Sequence, residues 1–245
     1  MMYTVTFQLK SRDVNRYRRL RTSRFMEIVQ ECSIAHTTAL GFGREKTLDR
    51  GLLWMILQQH FDFFRMPSYD EKVTMATWPG DMRHLLFPRF YRLTSAETGE
   101  KLAEGSAIWV LCSAETRSAV FPEKYDIRID GDAEQAPLPL PHIIRSETAG
   151  KETDFTVPFS WCDLNGHMNN ARYFDLLENV CPPSENWQIG TADAEYHGET
   201  LFNRTYRMET LEQQEGVDTR MITLRDDEER ILCRIRLTGT GVHTA

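Results

Sequence analysis

Apolar and polar residues alternate over Tyr3–Leu9, the pattern of a strand with one covered face. A basic loop follows. Ser23–Leu40 then places Phe25, Ile28 or Val29, Cys32, Ala35 and Ala39 at steps of three and four. That spacing predicts a helix with Thr22 or Ser23 as its N-cap and Gly41 as its stop. Strand patterns return at Leu52–Phe64, Lys72–Trp78, Pro88–Ser95 and Leu102–Ser113, with turns at Trp78–Gly80 and Glu97–Glu100. Between Phe121 and Gly150 the chain carries Asp-Gly-Asp and Pro-Leu-Pro-Leu-Pro. These support neither a helix nor a central strand and predict an extended linker.

The order then begins again. Thr153–Val157 reads as a strand, and Ala171–Cys181 as a helix capped by Asn169 or Asn170 and ended by Pro182-Pro183. Strands follow at Ala192–Thr200, Arg204–Leu211, Asp218–Arg225 and Arg230–Leu237. The last puts Ile231, Cys233, Ile235 and Leu237 on one face and Arg230, Arg234 and Arg236 on the other. The loops before the two helices echo each other, Asp13-Val-Asn15-Arg-Tyr17 and Asp163-Leu-Asn165-Gly-His167. One helix against an antiparallel sheet, twice over, is an α+β arrangement built from a duplicated module. The expected division is 1–125 for the first module, 126–150 for the linker and 151–245 for the second.

Composition narrows the class. Of 245 residues, 41% are hydrophobic and 27% charged, which excludes a disordered or fibrous chain. No run approaches the ~18 apolar residues of a spanning helix, so membrane insertion is not expected. The start of the sequence has no apolar leader core, and five cysteines stand without a CxxC pair. Reduced thiols in a cytoplasm are the expectation. A net charge of −7 argues against nucleic acid as partner. One segment opposes that sign: Arg12, Arg16, Arg18, Arg19, Arg21 and Arg24 face a single acid, Asp13.

The densest polar stretch is Trp161–Asn170. Asp163, Asn165 and His167 occupy every second position, so an extended loop would aim all three one way. The alternative is that Asp163 and Asn165 close a turn through their own side chains. A second polar run, Glu195-Tyr-His-Gly-Glu199, falls on the strand after the helix and would bring a carboxylate toward His167. Base, amide and carboxylate beside a helix N-terminus suit the hydrolysis of an acyl group. Zinc is the weaker reading, because the spacing of Asp163, His167, His197 and Glu199 matches no ligand motif. Cys162 and Cys181 read as inert thiols, His197 as a sheet-surface residue, and Trp54, Trp78 and Trp109 as core or groove wall.

Asp163-Leu-Asn-Gly-His-Met-Asn-Asn-Ala-Arg-Tyr173 closely resembles the DxNxHxNN motif of acyl-acyl carrier protein thioesterases, plant and bacterial enzymes that end fatty acid synthesis. Gln30-Glu31 and His36, Trp54, Thr77-Trp78, Arg89-Phe90 and Ser106–Leu111 resemble further blocks of that family, and Glu199 matches its downstream glutamate. The resemblance implies a tandem hotdog fold, each module a long helix wrapped by an antiparallel sheet. It implies hydrolysis of fatty acyl-acyl carrier protein by water, with Asp163, Asn165, His167 and Glu199 as the catalytic set and no metal or organic cofactor. Trp54, Met55, Ile56 and Leu57 are then candidates to line the acyl groove. Arg16, Arg18, Arg19, Arg21 and Arg24 are candidates to dock the acidic carrier. Many plant relatives have cysteine after the glutamate, where this chain has Thr200, so a cysteine nucleophile there is excluded. The lack of a transit-like extension leads to the expectation of a bacterial cytoplasmic enzyme. An acyl-CoA thioesterase, a 3-hydroxyacyl dehydratase and a non-catalytic acyl-binding module stay open. So do chain length, saturation and a homodimeric state.

Overall fold

Every run of alternating residues forms a strand in the computed structural model, which describes residues 1–145, 150–213 and 217–240. The first half contains β1 (Tyr3–Gln8), α1 (Thr22–Ala39), β2 (Leu52–Phe63), β3 (Lys72–Pro79), β4 (Leu86–Ser95) and β5 (Lys101–Ser113). The second contains β6 (Lys151–Thr156), α2 (Arg172–Val180), β7 (Gln188–Tyr196), β8 (Thr205–Gln213), β9 (Asp218–Arg225) and β10 (Ile231–Thr240). The architecture is α+β, as expected.

All ten strands belong to one antiparallel sheet, ordered β1-β3-β4-β5-β2-β7-β10-β9-β8-β6. Read inward from either edge, the order within each half is first, third, fourth, fifth, second. The halves meet where β2 pairs with β7, from Gln58↔Glu195 to Asp62↔Thr191. The chain is therefore a duplicated unit whose two copies share a continuous sheet through one strand pair.

Both helices cover the same face. Phe25, Met26, Ile28, Val29 and Cys32 of α1 are buried, and Phe25 meets Phe61 and Phe63 edge-on at 4.9 Å each. A buried side chain of that kind contributes about 1.5–3 kcal/mol. On α2 the buried residues are Tyr173, Phe174, Leu176 and Leu177. Ion pairs stitch the helices together near their N-termini, Arg172–Glu27 at 2.7 Å and Arg21–Asp175 at 3.6 Å.

The caps differ from expectation. Thr22 is already helical and does not cap α1; its hydroxyl instead donates to Glu178 of α2 at 2.5 Å. Burial pushes the Glu178 carboxyl above its ordinary range. Gly41 stops α1 as expected, with φ +85° and its N–H on Thr38. On α2 the cap position falls to Ala171 and not to Asn169 or Asn170; Asn169 Oδ1 accepts from the Ala171 N–H at 3.0 Å just ahead of the helix. The expectation of a long helix in each half holds only for α1, at 18 residues; α2 has 9 before Pro182-Pro183.

The proline segment between the halves lies against the opposite sheet face. Ser106 donates to the Pro139 carbonyl at 2.5 Å, His142 packs on His60 at 5.2 Å, and the Ile144 N–H reaches Glu195 at 2.9 Å. It thus crosses from β5 over β2 to β7. Beneath it His60 Nδ1 bonds Asp193 at 2.7 Å, and Arg236 bonds the same carboxylate at 2.9 Å.

Candidate active site

The loop before α2 is a tight turn and not the extended segment that alternate spacing suggested. The Gly166 N–H closes onto the Asp163 carbonyl at 3.0 Å, and Asp163 Oδ1 accepts from the Asn165 N–H at 2.8 Å. Gly166 turns the chain at φ +83°, a conformation only glycine adopts without strain. The turn splits the three polar residues. Asp163 and Asn165 border a cavity, while His167 faces Glu199, with Nε2 to Oε1 at 3.6 Å.

Glu199 comes from the segment after β7, which a bond from the Met168 N–H to the Thr200 carbonyl at 2.8 Å ties to the loop. Its Oε1 is buried and makes no hydrogen bond. Arg117, from the turn after β5 in the other half, sits 3.4 Å from the same oxygen. His167 Nδ1 lies 3.4 Å from the Met168 carbonyl, which can only accept. In the neutral ring that contact puts the proton on Nδ1, and Nε2 is then the acceptor on the side of Glu199. Thr200 is fully buried, its hydroxyl bonded to the Tyr173 phenol at 2.8 Å.

The cavity encloses about 380 Å³ between α1 and the sheet. Gln30, Ile34, Trp54, Phe87, Trp109 and Arg89 contribute to its wall, with Asp163, Asn165 and Asn169 at the end where the α2 loop meets α1. Of the four expected lining residues only Trp54 reaches it. Ile56 is buried in the main core, and Met55 and Leu57 pack against Leu53, Val110 and Cys112. Leu53 joins Trp54 at the cavity, but beyond them the pleat turns Met55 and Leu57 to the opposite face, so four consecutive residues could not share one groove.

The loop echo is real but shifted by two residues. Val14 pairs with Leu20 as Cys162 does with Met168, and Arg19 with Ser68 as His167 does with Leu201. Asn15 Oδ1 accepts from the Tyr17 N–H at 2.9 Å, the counterpart of the Asp163 bond to Asn165. Asn15 thus stands where Asp163 does and Arg19 where His167 does. Counting back from the same bridges, Met66 stands where Glu199 does. At these two positions the first copy has neither histidine nor carboxylate, and the space beside them shrinks to about 30 Å³, walled by Trp187 and by Glu178 of α2.

The arginines fall into two groups. Arg24 is paired with Asp13 and Glu27 at 2.8 Å each, Arg21 with Asp175, and Arg19 donates to the Trp187 carbonyl at 2.9 Å. Arg16 and Arg18 are exposed, and among the described residues neither has an ion-pair partner; Arg16 lies over the Tyr17 ring. His197 pairs with Glu195 at 3.5 Å and not with Glu199. Cys181 is buried, which pushes its thiol up to about 11, and all five cysteines are free. Among the described residues no group of side chains could hold a metal ion. None of their helices is long and apolar enough to cross a membrane. Arg117 gave no signal of a role in the sequence, because it acts through a contact distant along the chain.

Residues 1–128 match the model of the acyl-ACP thioesterase N-terminal domain, and 144–237 that of the C-terminal domain. A chloroplastic acyl-(acyl-carrier-protein) hydrolase of Cuphea viscosissima is 23% identical over 215 residues, 81% of this chain and 52% of the relative. The chain spans about half the length of the curated relatives it matches. The fold is similar to an acyl-ACP thioesterase from Bacteroides thetaiotaomicron, with TM-score 0.81, 20% identity and 98% of each chain covered. It is similar also to the 12:0-ACP thioesterase from Umbellularia californica, with TM-score 0.80 and 22% identity over 98% of this chain and 94% of that one. The tandem hotdog architecture accords with both. With both halves matched by its domain models, the chain belongs to the acyl-ACP thioesterase family.

Proposed function

We propose that this protein hydrolyses the thioester of fatty acyl-acyl carrier protein, releasing the free fatty acid and the carrier thiol. The observation that carries this reading is the Nε2 of His167 facing the unbonded Oε1 of Glu199 at 3.6 Å, beside a cavity bordered by Asp163 and Asn165. Two acceptors at that separation are too far apart to bond directly and are suited to sharing a water that donates to both. As the water oxygen forms its bond to the thioester carbon, its proton passes to the His167–Glu199 pair. The carbon–sulfur bond then breaks, and the thiolate leaves and regains a proton. A thiol of pKa about 8.5 is a good leaving group, so little acid assistance is needed.

Asn165, at the cavity edge, is placed to hold the carbonyl oxygen or the water, and Asp163 fixes the turn that presents it. Arg117 balances the charge of Glu199. The first half supplies the acyl cavity and the second the base pair. Thr200 stands where a family cysteine would be and is engaged with Tyr173, so no thiol attack is invoked. Five unpaired cysteines suit a reducing compartment such as a cytoplasm. Arg16 and Arg18 lie in the first-copy loop and not beside His167, so their part is to attract an acidic carrier during approach.

The deciding assay offers three substrates: an acyl-carrier thioester, the matching acyl-CoA, and a 3-hydroxyacyl-carrier thioester. Free thiol, fastest from the first, is the expected outcome. An enoyl product from the third would make the protein a dehydratase, and no turnover of any would make it a binding module.

A further inference from the structure

Far from the reacting loop, the cavity wall holds a charge that hydrolysis does not use. Arg89, on β4, lines the cavity and is 6% exposed. Its guanidinium donates to His36 Nδ1 at 2.8 Å, to Thr37 Oγ1 at 3.1 Å and, weakly, to Thr77 Oγ1 at 3.5 Å. Arginine can only donate, so His36 Nδ1 is unprotonated and the imidazole is neutral. Burial and the adjacent guanidinium together hold His36 down to about 4. All three acceptors are therefore uncharged. No carboxylate pairs with Arg89 among the described residues, although buried cations ordinarily have one.

A second donor on the same wall is also unused. Trp54 lines the cavity, and its indole N–H is buried without a partner. The same wall carries the apolar Ile34, Phe87, Trp109 and Ile129 and the charged Glu31, Arg44 and Asp163. The place of Arg89 along the cavity follows from α1. Asn169, next to the reacting loop, reaches Gln30 at 3.5 Å, whereas Arg89 is bonded to His36 and Thr37. Seven residues of helix, about 10 Å, separate those two ends.

We propose that this distal end is a subsite for an oxygen-bearing terminus, so that the substrates include acyl groups whose far end carries a carboxylate or hydroxyl. This rests on the thioesterase reading above. A carboxylate supplies the missing counter-charge and accepts the guanidinium N–H groups left over from the three neutral contacts. A hydroxyl meets the donors without balancing the charge. A methyl end does neither and leaves a cation against hydrocarbon.

The test is a matched series of medium-chain thioesters ending in methyl, hydroxyl or carboxylate, assayed with the wild-type protein and with Arg89→Met and Arg89→Lys. The expected wild-type order of kcat/KM is carboxylate, hydroxyl, methyl. Arg89→Met should lower the carboxylate value roughly 10- to 100-fold, the usual consequence of losing a charged hydrogen bond, and raise the methyl value; Arg89→Lys should retain part of the carboxylate preference. A wild-type preference for methyl, or a ratio unmoved by Arg89→Met in a folded variant, would overturn the subsite. Calorimetry of the wild-type protein with a free dicarboxylic acid and its monocarboxylic analogue separates the two readings. Tighter dicarboxylate binding without turnover of any thioester would retain the subsite and remove the hydrolase. Thioester turnover with no such preference would do the reverse.

Discussion

His167 and Glu199 meet from two loops joined by the bond from the Met168 N–H to the Thr200 carbonyl, and neither belongs to the core. Replacing either by Ala should lower kcat by roughly 10²–10⁴, the usual range for a lost acid–base group, with little change in unfolding temperature. Steady-state kinetics beside a thermal melt checks both halves of that statement. Near-normal turnover in either variant would exclude that residue from proton transfer. The cysteines give the opposite expectation. Cys181 is neutral at pH 7, with its thiol at about 11, and Cys162 packs against the core with its thiol 3.8 Å from the Pro158 carbonyl. Cys162→Ser, Cys181→Ser and the double variant should keep most activity, and mass spectrometry of the enzyme during turnover should find no acyl-cysteine.

Among the elements, the seam between β2 and β7 has its own pH signature. The hydrogen bond that His60 donates to Asp193 raises its imidazole above its ordinary value of 6.5. Burial alone would raise Asp193, but its bonds to His60 and Arg236 prevail and hold it low. A raised imidazole contributes fully below the unfolded value of 6.5, and its contribution is lost as pH climbs through the folded value. The depressed Asp193 acts in the other direction, contributing above 3.8 and losing its effect as pH falls through its folded value. The melting-temperature gap between wild type and His60→Gln should therefore be widest at mildly acid pH and close as the solution becomes alkaline. A gap of constant size would show that the pair is not titrating.

Strands were the most legible elements, because alternation such as Ile231, Cys233, Ile235 and Leu237 survives whatever the partner strand is. The site was less so. The types of Asp163, Asn165, His167 and Glu199 showed in the sequence, but their directions did not, since one left-handed residue, Gly166, reverses where the side chains point. The loop repeat was misaligned by two for a similar reason. Matching Asp13 to Asp163 preserves residue type, whereas the hydrogen bonds match Asn15 to Asp163. Met55 to Leu57 illustrate the same limit. Hydrophobicity marks them as covered, and only the pleat decides by what.

Over the whole molecule, charge is unevenly spent. The net value is −7, yet Arg16 and Arg18 project unpaired among the described residues while Arg19, Arg21 and Arg24 are tied into the fold. Arg16→Glu with Arg18→Glu should lower kcat/KM for a carrier-bound substrate, flatten its salt dependence and leave kcat nearly intact. A carrier-free thioester should respond to neither change. Equal responses from both substrates would assign those arginines another role. Arg44, which lines the cavity and pairs with Asp49 at 2.9 Å, is the natural comparison on the site's own side.

Two equivalent positions exist in each chain, and only one is equipped. Arg19 and Met66 cannot exchange a proton, and the Arg19 guanidinium is held by the Trp187 carbonyl. Stoichiometry follows directly. Titration with a non-hydrolysable acyl thioester analogue should saturate at one per polypeptide, and turnover should follow a plain hyperbola, with no half-of-sites behaviour to inherit from the symmetry of the sheet. The silent copy is also where substitutions leave the reacting groups untouched, so surface changes around Asn15 and Tyr17 that spare Arg16 and Arg18 can be screened for solubility with kcat on a carrier-free thioester as an unmoving reference.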